Sequence, residues 1–168
     1  MQLIVVLETK NKEGSDYYYF KSILSRFYKE RGTGITITPI FMDGKGNYKI
    51  VENKIVNKMK EYDGTSKVVF FFDVDSVTLK YDQYQLNIDI NDYCNQKGYE
   101  VVWFNKTVED VLLGEVISDN KTKISKKFFK ENKIANVSES NLNAILLTQI
   151  ISKKSNALNI LDKYLPRK

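Results

Sequence analysis

Three acidic stations carry the chemistry this 168-residue sequence could do: Glu8, the Asp73-Val74-Asp75 triplet and Glu109. Each follows a short apolar run. Along a strand, residues two apart point the same way, so Asp73 and Asp75 are expected to project together from a carboxyl edge, where ligands bind in open α/β sheets. Four carboxylates drawn together there would repel one another strongly, and one or two Mg²⁺ or Mn²⁺ ions would turn that repulsion into coordination. Such ions activate water and stabilise charge on a phosphoryl group. The plain alternatives are that Asp73 and Asp75 end a strand and cap a turn, and that Glu109 is a helix-start acid behind a Thr107/Asp110 capping pair. The metal reading requires that Glu8 lie close to the Asp73/Asp75 pair and that no lysine or arginine already neutralise it.

Composition narrows the chemistry further. There is no histidine, which excludes Ser-His-Asp and Cys-His catalysis, and the single Cys94 rules out an internal disulfide. No apolar run reaches transmembrane length and the N-terminus lacks signal-peptide order, so a cytoplasmic location without membrane association is expected. Residues 121–168 carry eleven basic and three acidic side chains, net +8, whereas residues 1–120 are net −3. An acidic body with a basic tail suits a metal site beside a phosphate-binding surface; a solvated lysine-rich face explains it as well. Lys106, Lys121, Lys123, Lys126 and Lys127 are the candidate contacts to a DNA or RNA backbone. Phe128 and Phe129 are assigned to the core.

The elements that must position these residues follow from periodicity. Gln2–Leu7 and Val68–Phe72 read as buried parallel strands, Ile35–Met42 as an edge or bulged strand because of Pro39, and Glu100–Phe104 as a fourth strand. Between them lie a helix from Ser15 that ends at Gly32, a two-glycine turn at Asp43–Asn47, a helix carrying Val51, Ile55 and Met59, and a weak helix over Tyr81–Lys97 with Leu86, Ile90, Tyr93 and Cys94 inward. The pattern then becomes helical: Val108–Leu113, Lys121–Asn132, and Ser138–Leu165 with a break near Ser152–Asn156. Leu142, Ile145, Leu146, Gln149 and Ile150 trace an inward stripe. The fold class is α/β: a mostly parallel, four-stranded, Rossmann-like sheet flanked by helices (residues 1–115), with a basic helical extension (residues 116–168) packed on the same core.

In their order, Glu8 with its polar loop, Tyr17-Tyr18-Tyr19-Phe20, Asp73-x-Asp75 and Asn105-Lys106-Thr107-Val108-Glu109 resemble the Toprim proteins, particularly the RloB-like branch, over about residues 1–115. Thr9 stands where that family usually has glycine, Glu13-Gly14 is read at its Thr-Glu position with shifted spacing, and Val108 replaces an aromatic. The resemblance implies Glu8 as general acid, general base or metal ligand, Asp73 and Asp75 as Mg²⁺ ligands, and Glu109 as ligand of a second ion. It also implies a metal-dependent nuclease in a bacterial defence or mobile-element setting, with room for a partner ATPase or another defence subunit. Two other expectations stand beside it. One is a non-catalytic α/β binding or regulatory subunit. The other is a phosphatase resembling the haloacid dehalogenases, with Asp73 as nucleophile and Asp75 as general acid.

Overall fold

Apolar residues on both faces of the central strands require cover on both sides, and a computed structural model provides it as a three-layer α/β arrangement. It describes residues 1–29, 32–75, 81–144 and 153–168. The strands are β1 (Gln2–Leu7), β2 (Thr36–Phe41), β3 (Ser66–Asp73), β4 (Glu100–Asn105) and β5 (Lys154–Ser155). The helices are α1 (Ser15–Phe27), α2 (Glu52–Lys60), α3 (Tyr81–Lys97), α4 (Val108–Leu113), α5 (Lys121–Lys130), α6 (Glu139–Leu142) and α7 (Ala157–Leu161), with a 3-10 turn at Lys45–Asn47 between β2 and α2.

The sheet order is β2-β1-β3-β4-β5, parallel except for β5. The strand period of two sorts the core. Leu3, Val5, Leu7, Val69, Phe71, Val102 and Phe104 face α1 and the C-terminal segments, while Ile4, Val6, Val68, Phe70, Phe72, Val101 and Trp103 face α2 and α3. Pro39 sits on the edge strand β2, where its missing N–H disturbs no ladder beyond β1. Since β1, β3 and β4 are neighbours, their carboxyl ends share one edge. Phe128, Ile134, Leu142, Leu158 and Leu161 belong to the same buried cluster as β1, so the basic tail is part of this core.

Two expectations about the elements are corrected. The first helix stops at Phe27 because Tyr28 is already extended: it bridges to Arg167, and its hydroxyl donates to Asp162 at 2.8 Å. Among the described residues of the tail from Ser138 to Leu165 the helices are the short α6 and α7, and Lys154–Ser155 adds a fifth, antiparallel strand to β4 where helix was expected. Asn156 extends that pairing with its side chain, accepting from the Trp103 N–H at 2.8 Å and donating to the Val101 carbonyl at 3.0 Å. Of the expected inward stripe, Leu142 is fully buried, and residues 145–150 lie outside the described residues.

Candidate metal centre at the carboxyl edge

Glu8 is the first residue beyond β1, and the parallel register that sets Leu7 beside Phe71 brings it to the end of β3. Its Oε1 accepts the Asp73 backbone N–H at 2.9 Å. Asp73, the last residue of β3, turns its Oδ1 to the Val108 N–H at 2.8 Å and so takes one of the open amides at the start of α4. That helix is also capped as its sequence suggests: Thr107 Oγ1 accepts the Asp110 N–H at 3.1 Å, and Asp110 Oδ2 reaches back to the Lys106 N–H at 3.3 Å. Glu109, in the same first turn, points inward. It is 1% exposed, and among the described residues neither of its carboxylate oxygens has a hydrogen-bond partner and its one ion pair is with Lys121 Nζ at 3.6 Å.

Sequence reasoning missed a further acid. Asp16, in the first turn of α1, lines a cavity of about 10 Å³ together with Glu8 and Asp73. That is about the room of one water molecule or one small ion. Ser15 Oγ donates to Asp16 Oδ1 at 3.1 Å and the Thr9 amide also supports it. The signal was present in the sequence, since Asp16 stands three residues ahead of Tyr19-Phe20 and opens the same helix. Glu13 was placed there instead. It is mostly exposed and pairs with Lys126 at 3.5 Å. The Thr9 side chain rests against Gly14, where a Cβ would lie 2.3 Å from the Thr9 Cβ.

The electrostatics record how these groups crowd one another. Burial pushes the Glu8 carboxyl up to about 8, and Asp16 and Asp75 add to the rise against the Asp73 amide and Lys45. Burial likewise pushes Asp16 up to about 6, with Glu109 adding to it. Asp73 is raised well above the carboxylate range by burial and then by Glu8, Asp16 and Glu109. The Tyr19 hydroxyl, fully buried without a hydrogen-bond partner, is raised by burial and by Glu109, Asp16 and Asp73.

The expected Asp73/Asp75 pair is corrected. Strand alternation ends at Asp73, Asp75 adopts a left-handed φ of 63°, and its carboxylate pairs with Lys45 Nζ at 3.0 Å. Lys45 comes from the turn at residues 43–47, is only 7% exposed, also donates to the Asp73 carbonyl, and lies over the Trp103 ring. A lysine therefore neutralises Asp75, so the metal site expected on the Asp73/Asp75 pair fails, and a metal reading can rest only on a different set of acids. The Asp73 carboxylate itself has no such partner, and the acid centre is Glu8, Asp16, Asp73 and Glu109.

No family model, curated protein or solved structure matches the chain.

The donor set is all oxygen, which suits a hard divalent cation. Among the described residues no three acidic or sulfur side chains stand close enough together to hold a metal as placed. One oxygen each of Glu8 and Asp73 is committed to a backbone N–H, so coordination would draw on their other oxygens and on Glu109. Of the candidate phosphate contacts, Lys106 is exposed next to the acid centre, while Lys121, Lys123, Lys126 and Lys127 all lie on α5.

Proposed function

We propose that the chain is a Mg²⁺- or Mn²⁺-dependent nuclease of the Toprim type that hydrolyses phosphodiester bonds in DNA or RNA. One observation carries the reading: among the described residues the Glu109 carboxylate, 1% exposed, takes no hydrogen bond on either oxygen, its ion pair with Lys121 is loose at 3.6 Å, and Asp16 and Asp73 both feel its charge. A buried carboxylate so thinly compensated is costly to keep. A divalent cation would supply that compensation, and with it an activated water and charge stabilisation on the phosphoryl oxygens.

Glu109 and the free oxygens of Asp73 and Glu8 would hold the cation, with Asp16 beside them. Glu8 Oε1 is engaged by the Asp73 amide, which leaves Oε2 to hold or release a proton, and a carboxyl pushed up to about 8 is matched to such exchange near neutral pH. Lys45 fixes the end of β3 through Asp75 and the Asp73 carbonyl. Lys106 and Lys121 stand at the rim, where a substrate phosphate would need positive charge.

Calorimetric titration of Mn²⁺ into the metal-free protein and into Glu8→Gln/Glu109→Gln tests this. Binding heat from the wild type that the variant lacks supports the centre; equal heats would sink it. Metal binding without cleavage of DNA or RNA would instead mark a regulatory subunit.

A further inference from the structure

Helix α5 spends one face on the core and leaves the other strongly charged. Ser125 and Phe128 are buried, with the Phe128 ring edge-on to Tyr19 at 5.4 Å. Lys123, Lys126, Lys127 and Lys130 recur at i, i+3, i+4 and i+7 and so form one stripe, about 10 Å long at 1.5 Å per residue. The stripe lines an open groove of about 770 Å³ whose only acidic member is Glu131. The ion pairs along it, Lys126 with Glu13 at 3.5 Å and Lys127 with Glu131 at 3.8 Å, are exposed and weak. Lys123 and Lys130 have no ion pair among the described residues. At its near end, Lys121 reaches Glu109 at 3.6 Å, so the charged track leads directly into the acid centre.

We infer that this lysine face is the track for one nucleic-acid backbone, with the reacting phosphate at the Lys121 end. The placing of that phosphate rests on the proposed nuclease reading; binding to the track does not. About 10 Å of stripe spans roughly three phosphates of one strand at ~3.4 Å axial rise. A membrane is the poorer partner because α5 has no free apolar side to insert: Phe128 is buried, and Phe129 lies under Lys21 Nζ at 4.5 Å. An acidic protein is poorer too, since the groove offers no apolar patch for an interface core. A free strand and one side of a duplex present the same phosphate chemistry, and the experiment separates them.

The measurement is fluorescence anisotropy in EDTA with a labelled single strand of about a dozen nucleotides, and separately its duplex, across a salt series. Wild type should bind at least one of them with a log–log salt slope near −2, as about three contacts imply. Lys123→Gln/Lys127→Gln/Lys130→Gln should weaken that binding at least about tenfold at low salt and flatten the slope by roughly two. Lys49→Gln/Lys60→Gln/Lys67→Gln removes the same charge from exposed lysines elsewhere and should keep both. No binding by wild type, or equal losses in the two variants, would overturn the track. So would stripe-dependent binding to phosphatidylserine vesicles or polyglutamate as tight as to nucleic acid. Mn²⁺ heats on the same proteins separate the two proposals. Lost strand binding with intact heat supports the track alone, while normal strand binding by a wild type that gives no Mn²⁺ heat, or the same heat as Glu8→Gln/Glu109→Gln, defeats the metal centre and spares the track.

Discussion

Two clusters of carboxylate chemistry sit in this fold and are treated in opposite ways. On the α2/α3 side, Glu52 takes hydrogen bonds from the Tyr93 hydroxyl at 2.6 Å, Lys97 at 3.0 Å and the Tyr99 hydroxyl at 3.2 Å. Burial works to raise its carboxyl, but those three donors outweigh it and hold the group below its ordinary range. At the carboxyl edge, Glu109 has no hydrogen-bond donor and Glu8, Asp16 and Asp73 are all raised. One chain thus surrounds a half-buried acid with donors in one place and leaves more deeply buried ones crowded together in another. Structural needs explain the first cluster; the second is the arrangement that the proposed cation would compensate.

The sharpest way to break this comparison is through the metal. Glu8→Gln/Glu109→Gln should lower Mn²⁺ affinity by at least about 100-fold, roughly 2.7 kcal/mol, whereas Glu52→Gln leaves it unchanged by calorimetry. If Glu52→Gln costs as much, the clusters do not differ in the way described.

Stability against pH comes next, and the two clusters have opposite signs. Folded Glu8 keeps a proton up to about 8, whereas the unfolded chain releases it near 4.5. Its contribution is therefore full below pH 4.5 and is lost as pH rises to about 8. Asp16 adds the same sign between 3.8 and about 6. Glu52 contributes above pH 4.5 and loses its contribution as pH falls through its lowered value. Denaturant melts in EDTA should show stability falling by about 2 kcal/mol from pH 5 to pH 8, and saturating Mn²⁺ should remove most of that slope.

Single substitutions sharpen the contrast further. Glu109→Gln removes a buried carboxylate held only by a loose ion pair with the part-exposed Lys121, and should stabilise the metal-free protein by about 1–2 kcal/mol, read as a higher Tm. Tyr93→Phe/Tyr99→Phe strips two donors from Glu52 and should destabilise by a similar amount. The smallest effect is expected of Gly14→Ala. Its methyl must displace the Thr9 side chain, costing about 1 kcal/mol and weakening Mn²⁺ binding several-fold because Thr9 supports Asp16.

The framework was readable in the sequence because burial on both sheet faces leaves continuous apolar runs. Gln2–Leu7, Val68–Phe72 and Glu100–Phe104 all lie where their patterns put them, and the neighbouring β1, β3 and β4 deliver Glu8, Asp73 and Glu109 to one edge. What escaped depends on contacts remote in sequence. Lys154–Ser155 is too short to carry a strand period and is held by the β4 edge and by Asn156. Asp75 follows the alternation rule only while the strand lasts, and the strand stops two residues before it. Lys45 gave no sign of burial, because its partners Asp75, Asp73 and Trp103 come from later elements. Asp16 alone was legible and misplaced, through a spacing assigned to Glu13.

The contact between Lys121 and Glu109 ties two kinds of occupancy together. A divalent ion arriving at Glu109 competes with the ammonium for the same oxygens, and whatever it frees at Lys121 becomes available to a phosphate. Thermodynamic reciprocity then requires that polyanion tighten the hold on the ion by the same factor that the ion tightens the hold on polyanion. On the proposed reading, such a site would hold its ion loosely at rest and firmly only once cargo is aboard.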